Sequence, residues 1–301
     1  MKRKRPDNSF LIANDGFHGL HYKPENDRFS GKALVVFGGS AGSFLLTQMC
    51  AEKFCEAGMN VVAAAYRDVP GAPSQLSGIP VELIENTCKW CKENIADKVG
   101  VWGISLGGQL AALAGSLLPE LISCVVSVNG MDYVQQGMKS LKKLEFTNGS
   151  CFTFRGKDIP YFSYGMSPEE CRRTAKADAK AAHEYINYRA FNERAAANMP
   201  ENAEYMIKLE NIAGSVLLLS SGGDMMLPSE FFCKRAYERL RKLGFKYPYR
   251  HINYEIASHY LTPVKPVTSK MFRIERENAA ACDESRSRAF SDTLDFLEKQ
   301  W

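Results

Sequence analysis

The sequence predicts an α/β fold, a mostly parallel sheet with helices on both faces. Three observations lead to it. From about Lys32 onward, short apolar runs alternate with longer amphipathic segments. The short runs are continuously apolar, the mark of strands buried on both faces of a parallel sheet. The chain has 301 residues, 45% of them hydrophobic and 24% charged, a composition able to fill a large core.

The elements follow in order. Ala33–Phe37 reads as a buried strand running into Gly38-Gly39-Ser40-Ala41-Gly42. A helix is predicted from about Phe44 to Ala57 and stops at Gly58, because glycine takes the left-handed position after a helix without steric cost. Asn60–Tyr66 reads as a second strand and Val81–Asn94 as a helix. Val99–Ile104 reads as a third strand, Leu106–Leu118 as a helix and Ile122–Val128 as a fourth strand. The rhythm breaks between about Met131 and Asn202, with few strong strands, many charges and one helical stretch from Pro168 to about Arg194. It resumes with a strand at Val216–Ser220, a helix at Ser229–Leu243 and a strand at Tyr247–Ile256. A last amphipathic helix covers about Asp283–Lys299, with Phe290, Leu294 and Leu297 on one face. The expected organisation is one domain over 1–301, with 131–202 inserted as a helical lid.

Charge and cysteine usage narrow the function classes. Thirty-eight Lys and Arg against 34 Asp and Glu leave a net charge of +4, too weak an excess to argue for a nucleic-acid partner. The basic start, Met1 to Arg5, is followed by Pro6 and polar residues rather than the apolar run of a signal peptide. No stretch approaches the roughly 18 apolar residues of a membrane span. Nine scattered cysteines, an odd number, read as reduced thiols in a cytoplasmic protein. Cys88 and Cys91 have the spacing of a metal half-site, but they lie on a predicted helix without a second Cys or His pair. They read as ordinary helix cysteines. No metal or organic cofactor is expected, and the expected partner is a small molecule.

The sharpest chemical signal is Gly103-Ile104-Ser105-Leu106-Gly107 at the junction of a predicted strand and a predicted helix. A serine hydroxyl is a weak nucleophile unless it is exposed, held rigidly and set beside a base. A tight strand–turn–helix holds it so, and glycines two residues before and after give the turn room. The helix N-terminus adds N–H donors and a positive dipole end where an oxyanion would form. An α/β-hydrolase then supplies an acid and a histidine later in the chain, in that order. Asp224 fits the acid, just past the strand Val216–Ser220 in a glycine-rich turn, and His259 fits the base, just past the last predicted strand. His18, His21, His183 and His251 fit the order less well. The expected roles are Ser105 as nucleophile, His259 as general base and acid, and Asp224 as the group that fixes the imidazole tautomer. The N–H of Leu106 is one expected oxyanion donor, and the N–H of Ser40 or Gly39 the second. No Walker lysine and no G-x-G-x-x-G accompany the Gly38–Gly42 loop, which weakens a nucleotide-binding reading.

With these residues placed, the chain resembles the catalytic domain of the acyl-CoA thioesterase / bile acid-CoA:amino acid N-acyltransferase family. The resemblance covers most of 32–130 and 205–300. It rests on Val36 to Gly42, on Val101 to Gln109, and on Cys124-Val-Val-Ser-Val-Asn-Gly130. It continues in Leu217 to Asp224 with Pro228-Ser-Glu-Phe231, and in Tyr254 to His259 before Thr262 and Pro263. It implies a triad of Ser105, Asp224 and His259. In that family members with Ser act mainly as thioesterases, so the resemblance favours hydrolysis of acyl-CoA to a free acid over transfer to glycine or taurine. Larger family members carry an N-terminal β-sandwich domain, and only about 30 residues precede the first predicted strand here, so that domain is not expected. The basic residues of the insertion, Lys139, Lys142, Lys143, Arg172, Arg173, Lys176 and Lys180, are candidates for CoA phosphates. Acidic residues interleave with them, however, which favours a solvated face. The aromatics Phe152, Phe154, Tyr161, Phe162 and Tyr164 are expected to form the insertion's own small core rather than an acyl pocket. The leading reading is a serine hydrolase of acyl thioesters. The alternatives are a carboxylesterase or dienelactone-hydrolase-like enzyme, an N-acyltransferase, and a non-catalytic binding protein on the same fold.

Overall fold

Val, Ile and Leu side chains project alternately to opposite faces along each central strand, and both faces are covered. In Lys32–Phe37 (β3), Ala33, Val35 and Phe37 enter one core while Leu34 and Val36 enter the other. The same division holds in Lys98–Ile104 (β5) and Ser215–Ser221 (β7). The structure, a computed structural model, describes residues 3–40, 44–141, 143–197 and 199–301. Met1 and Lys2 of the basic start, Ala41 and Gly42 of the glycine-rich loop, and the candidate phosphate ligand Lys142 lie outside the described residues.

Among the described residues the main sheet has eight strands. Added to the three above are Asn8–Phe10 (β1), His18–Tyr22 (β2), Asn60–Ala65 (β4), Cys124–Val128 (β6) and Tyr249–Tyr254 (β8). Their order is β1-β2-β4-β3-β5-β6-β7-β8. β2 runs antiparallel to β1 and β4, and every pairing from β4 to β8 is parallel. The strand expected first, at Ala33–Phe37, is therefore third. β1 and β2 escape the sequence because β1 has three residues, two of them exposed, and β2 carries two histidines.

Helix Phe44–Glu56 (α1) covers one face together with Ala279–Lys299 (α7). Helices Glu82–Asn94 (α2), Leu106–Leu117 (α3) and Ser229–Lys242 (α6) cover the other. Phe54 of α1, fully buried, meets Trp102 of β5 and Phe290 of α7 edge to face at 5.7 and 5.1 Å. Truncating such a ring to alanine costs about 3–5 kcal/mol.

The segment 131–202 departs from the helical insertion expected. It contains a hairpin of Gln136–Ser140 and Glu145–Ser150, then the short strands Phe152–Phe154 and Lys157–Asp158. Two helices follow, Pro168–Ala181 (α4) and Arg189–Ala196 (α5), where the sequence predicts one. The break is local: His183 takes a left-handed backbone, φ 55°, which a continuing helix cannot contain. Backbone bonds tie the hairpin to the loop before α2, Leu76 N–H to the Met138 carbonyl at 2.9 Å and the reverse at 2.8 Å. Phe152–Phe154 also pairs in parallel with Ile79–Pro80.

The strand order places a switch point in the sheet. The chain goes from β3 outward to β4, then returns to β5 on the other side of β3. Ligands of open α/β sheets bind beyond the carboxyl ends of the strands at such a reversal. The loop after β3, Ser105 after β5, Asp224 after β7 and His259 after β8 all lie at that edge.

Candidate active site

Ser105 caps the N-terminus of α3 with φ 59° and ψ −123°. A non-glycine residue held there stores roughly 1–3 kcal/mol of strain, which the surroundings must enforce. Its N–H is bound by the Val128 carbonyl at 2.8 Å, and its carbonyl accepts from Gln109 N–H at 3.0 Å. The flanking glycines are required by space. A Cβ on Gly103 would lie 2.1 Å from the Gly107 carbonyl oxygen, and one on Gly107 would lie 2.2 Å from the Gly38 oxygen. Leu106 opens α3, so its N–H belongs to the first turn, whose donors have no partner within the helix.

Gly39 of the glycine-rich loop lies against this turn. A Cβ on Gly39 would sit 3.0 Å from Ser105 Cβ and 3.5 Å from its Oγ. Two side chains that follow β4 hold the loop: Tyr66 Oη donates to the Gly38 carbonyl at 2.8 Å, and Arg67 Nη1 donates to the Ser40 carbonyl at 2.7 Å. The sequence offered no signal for Arg67, because its role depends on the pairing of β3 with β4.

Asp224 is fully buried. Its Oδ1 accepts from the N–H groups of Met226 and Leu227 at 2.8 and 3.0 Å. His259 Nδ1 lies 2.9 and 2.8 Å from the two carboxylate oxygens. A carboxylate only accepts, so Nδ1 must be the donor, and in the neutral imidazole that tautomer leaves Nε2 as the nitrogen able to take a proton. Ser105 and His259 line one cavity of about 370 Å³, walled by Leu46, Ile104, Ile186, Met226, Met271 and Phe272. Asp224 and His259 are thus joined directly, and Ser105 shares the cavity with His259. No hydrogen bond links the Ser105 hydroxyl to His259 among the described residues, and such bonds often tighten only when substrate binds.

Further residues hold this set in place. Asn129, with φ 47° and no exposure, donates from Nδ2 to the His259 carbonyl at 2.9 Å and to Ser221 Oγ at 3.0 Å. Ser258 Oγ donates to Glu275 Oε1 at 2.6 Å, and Glu275 forms a buried ion pair with Arg286 behind the histidine loop. The insertion grips the acid loop. Tyr188 and Arg189 N–H groups both donate to the Met225 carbonyl, at 2.9 and 3.1 Å, and Asn192 Nδ2 donates to the Met226 carbonyl at 3.2 Å.

Three of the other four histidines have local partners. His21 sits between Asn8 and Asn60, His251 bonds to Ser220, and His18 meets Phe44 edge to face. Cys88 and Cys91 are buried in α2, and among the described residues no group of three or more His, Cys, Asp or Glu is placed to hold a metal. Of the insertion aromatics, Phe152, Phe154 and Tyr161 pack on the main core, Phe162 joins Tyr133 in a small core of its own, and Tyr164 lines a cavity beside Ser105.

The family described as BAAT / acyl-CoA thioester hydrolase C terminal matches residues 79–281, more than half of the chain. The chain belongs to this family. No curated protein matches it in sequence. Solved structures show the fold of the α/β-hydrolases. The esterase Pf2001 of Pyrococcus furiosus superposes with TM-score 0.52 at 16% identity, covering 100% of this chain and 99% of its own. MGS-M1, an α/β hydrolase from a Medee basin deep-sea metagenome library, gives 0.55 at 13%, covering 97% and 96%. The esterase Est2 of Thermogutta terrifontis gives 0.50 at 15%, covering 93% and 89%. This family member is a hydrolase of α/β fold, and no helix among its described residues is long and apolar enough to cross a membrane.

Proposed function

We propose that the protein is a serine-dependent acyl hydrolase working through an acyl-enzyme on Ser105. The observation that carries this reading is the buried Asp224 carboxylate on His259 Nδ1, in a cavity shared with the strained Ser105. Ser105 Oγ attacks the acyl carbonyl as His259 Nε2 takes its proton. The oxyanion is met by the N–H of Leu106 and that of Ser40 or Gly39. His259 then protonates the departing thiol or alcohol and activates the water that releases the acid.

Acyl thioesters of CoA are the first substrates to test. Family membership supports them, as does a surface groove of about 420 Å³ lined by Arg172, Lys176 and Lys180 against one carboxylate, Glu184. That groove shares Ile186 and Tyr188 with the Ser105 cavity, so a leaving group passing between them would bring its phosphates to three cations. Simple esters are the second reading, supported by the Ser105 cavity, which no Lys, Arg, Asp or Glu lines among the described residues. In both readings residues 1–301 act as one cytoplasmic domain and 131–202 as a lid. Rates on acyl-CoA and aryl-ester panels, with and without glycine or taurine, test the choice. Faster acyl-CoA turnover without an amine requirement supports the thioesterase, amine-dependent product the transferase, and faster ester turnover the esterase. Ser105→Ala is expected to lower kcat by at least about 1,000-fold on every substrate. A folded Ser105→Ala protein with full activity would contradict the mechanism and favour a binding role.

A further inference from the structure

Ser105 lies at the junction of two cavities of unequal size. The larger, about 370 Å³, holds His259 together with Tyr260 and Met271. The smaller, about 70 Å³, opens from Ser105 on the side of Leu106 and is lined by Met138, Leu144 and Phe146 of the insertion. The proposed mechanism, on which this inference rests, gives the two sides different duties. The leaving atom must take a proton from His259 Nε2, so the leaving group belongs on the histidine side. The acyl chain then extends the other way.

We propose that the smaller cavity is the acyl site and that the acyl group is short and uncharged. An apolar cavity of roughly 150 Å³ accommodates benzene, so about half that volume suits an acyl chain of about two to four carbons. The back wall does not yield easily. Tyr164 is packed between Phe146 and Phe191 with centroids 4.9 Å away on each side, and its hydroxyl donates to Asn192 Oδ1 at 3.2 Å. A longer chain would have to part these three rings. No Lys, Arg, Asp or Glu lines the cavity among the described residues, so a dicarboxylic acyl group would leave its second charge unpaired.

The test is kcat/KM across two series, 4-nitrophenyl esters and CoA thioesters, each from acetyl through butyryl and octanoyl to palmitoyl. In whichever series is turned over, the maximum is expected at acetyl to butyryl, with a fall of about tenfold or more by octanoyl. Phe146→Ala removes part of the wall and is expected to move the maximum to longer chains. Met138→Ala serves the same purpose if the first variant does not fold. Ser105-dependent turnover that peaks at octanoyl or beyond, or a profile unmoved by a folded wall variant, overturns this inference alone. Turnover of neither series by folded wild-type protein overturns the proposed function and this inference with it.

Discussion

Asn129 combines a left-handed backbone, complete burial and two donated hydrogen bonds, one of them to the His259 carbonyl. Glycine adopts that backbone more easily than asparagine, so Asn129→Gly separates the amide from the conformation. The histidine loop would lose a fixed partner while the cavity keeps its lining. Asn129→Gly is therefore expected to lower kcat about tenfold, equivalent to about 1.4 kcal/mol of barrier, with KM nearly unchanged. Steady-state kinetics on a folded variant checks this, and an unchanged kcat would show that the contact is only structural. The residue illustrates what a sequence reveals at this scale. The motif Ser127-Val-Asn-Gly130 carries the family resemblance, yet its spacing does not say that Asn129 faces a loop 130 positions later. The contact of Asp224 with His259, and the cavity that Ser105 shares with His259, were legible because a triad would demand a fixed order and strand ends to stand on. Arg67 and Asn192 were not, because they act through backbone carbonyls, which any residue supplies.

Among the elements, the buried parallel strands were the legible part, since a continuous apolar run between helices has few other uses. β1 and β2 were not, being short and mixed in polarity. In the insertion, Glu145–Ser150 is mostly part-exposed and lacks a run of buried residues. The helices α4 and α5 merge in sequence because the break at His183 needs no glycine or proline. Helix α2 supports a prediction about how the insertion is held. Its buried Glu85 accepts from Arg155 Nη2 at 2.9 Å and pairs with Lys89 at 2.7 Å. The Arg155 hydrogen bond, foremost, holds its carboxyl at about 2, below the 4.5 of an ordinary glutamate. Because the folded-state value is the lower one, the ionised group stabilises the protein above about pH 4.5, and that contribution fades as pH falls toward 2. Glu85→Gln should then be less stable than wild type at pH 7, with the gap closing on acidification below pH 4.5. Urea titrations across that range measure it. Stability curves that stay parallel down to low pH would assign Glu85 no such role.

At the scale of the whole molecule, one sheet reversal gathers the loop after β3, the elbow after β5, the acid after β7 and the histidine after β8 on one edge. Leu141, Ile186 and Tyr188 of the insertion line the Ser105 cavity, and the insertion bonds to the acid loop, so the proposed lid is also part of what holds Asp224. The sequence implied the gathering, because the proposed triad would require residues as distant as 105 and 259 to meet. It could not give the division of space around Ser105, which depends on how the hairpin docks on Leu76. Fluorophosphonate labelling followed by peptide mass mapping tests whether Ser105 is an activated nucleophile. One phosphonylated residue, Ser105, is expected in the wild-type protein and none in Ser105→Ala. A folded wild-type protein that takes up no label, or takes it up elsewhere, would contradict it.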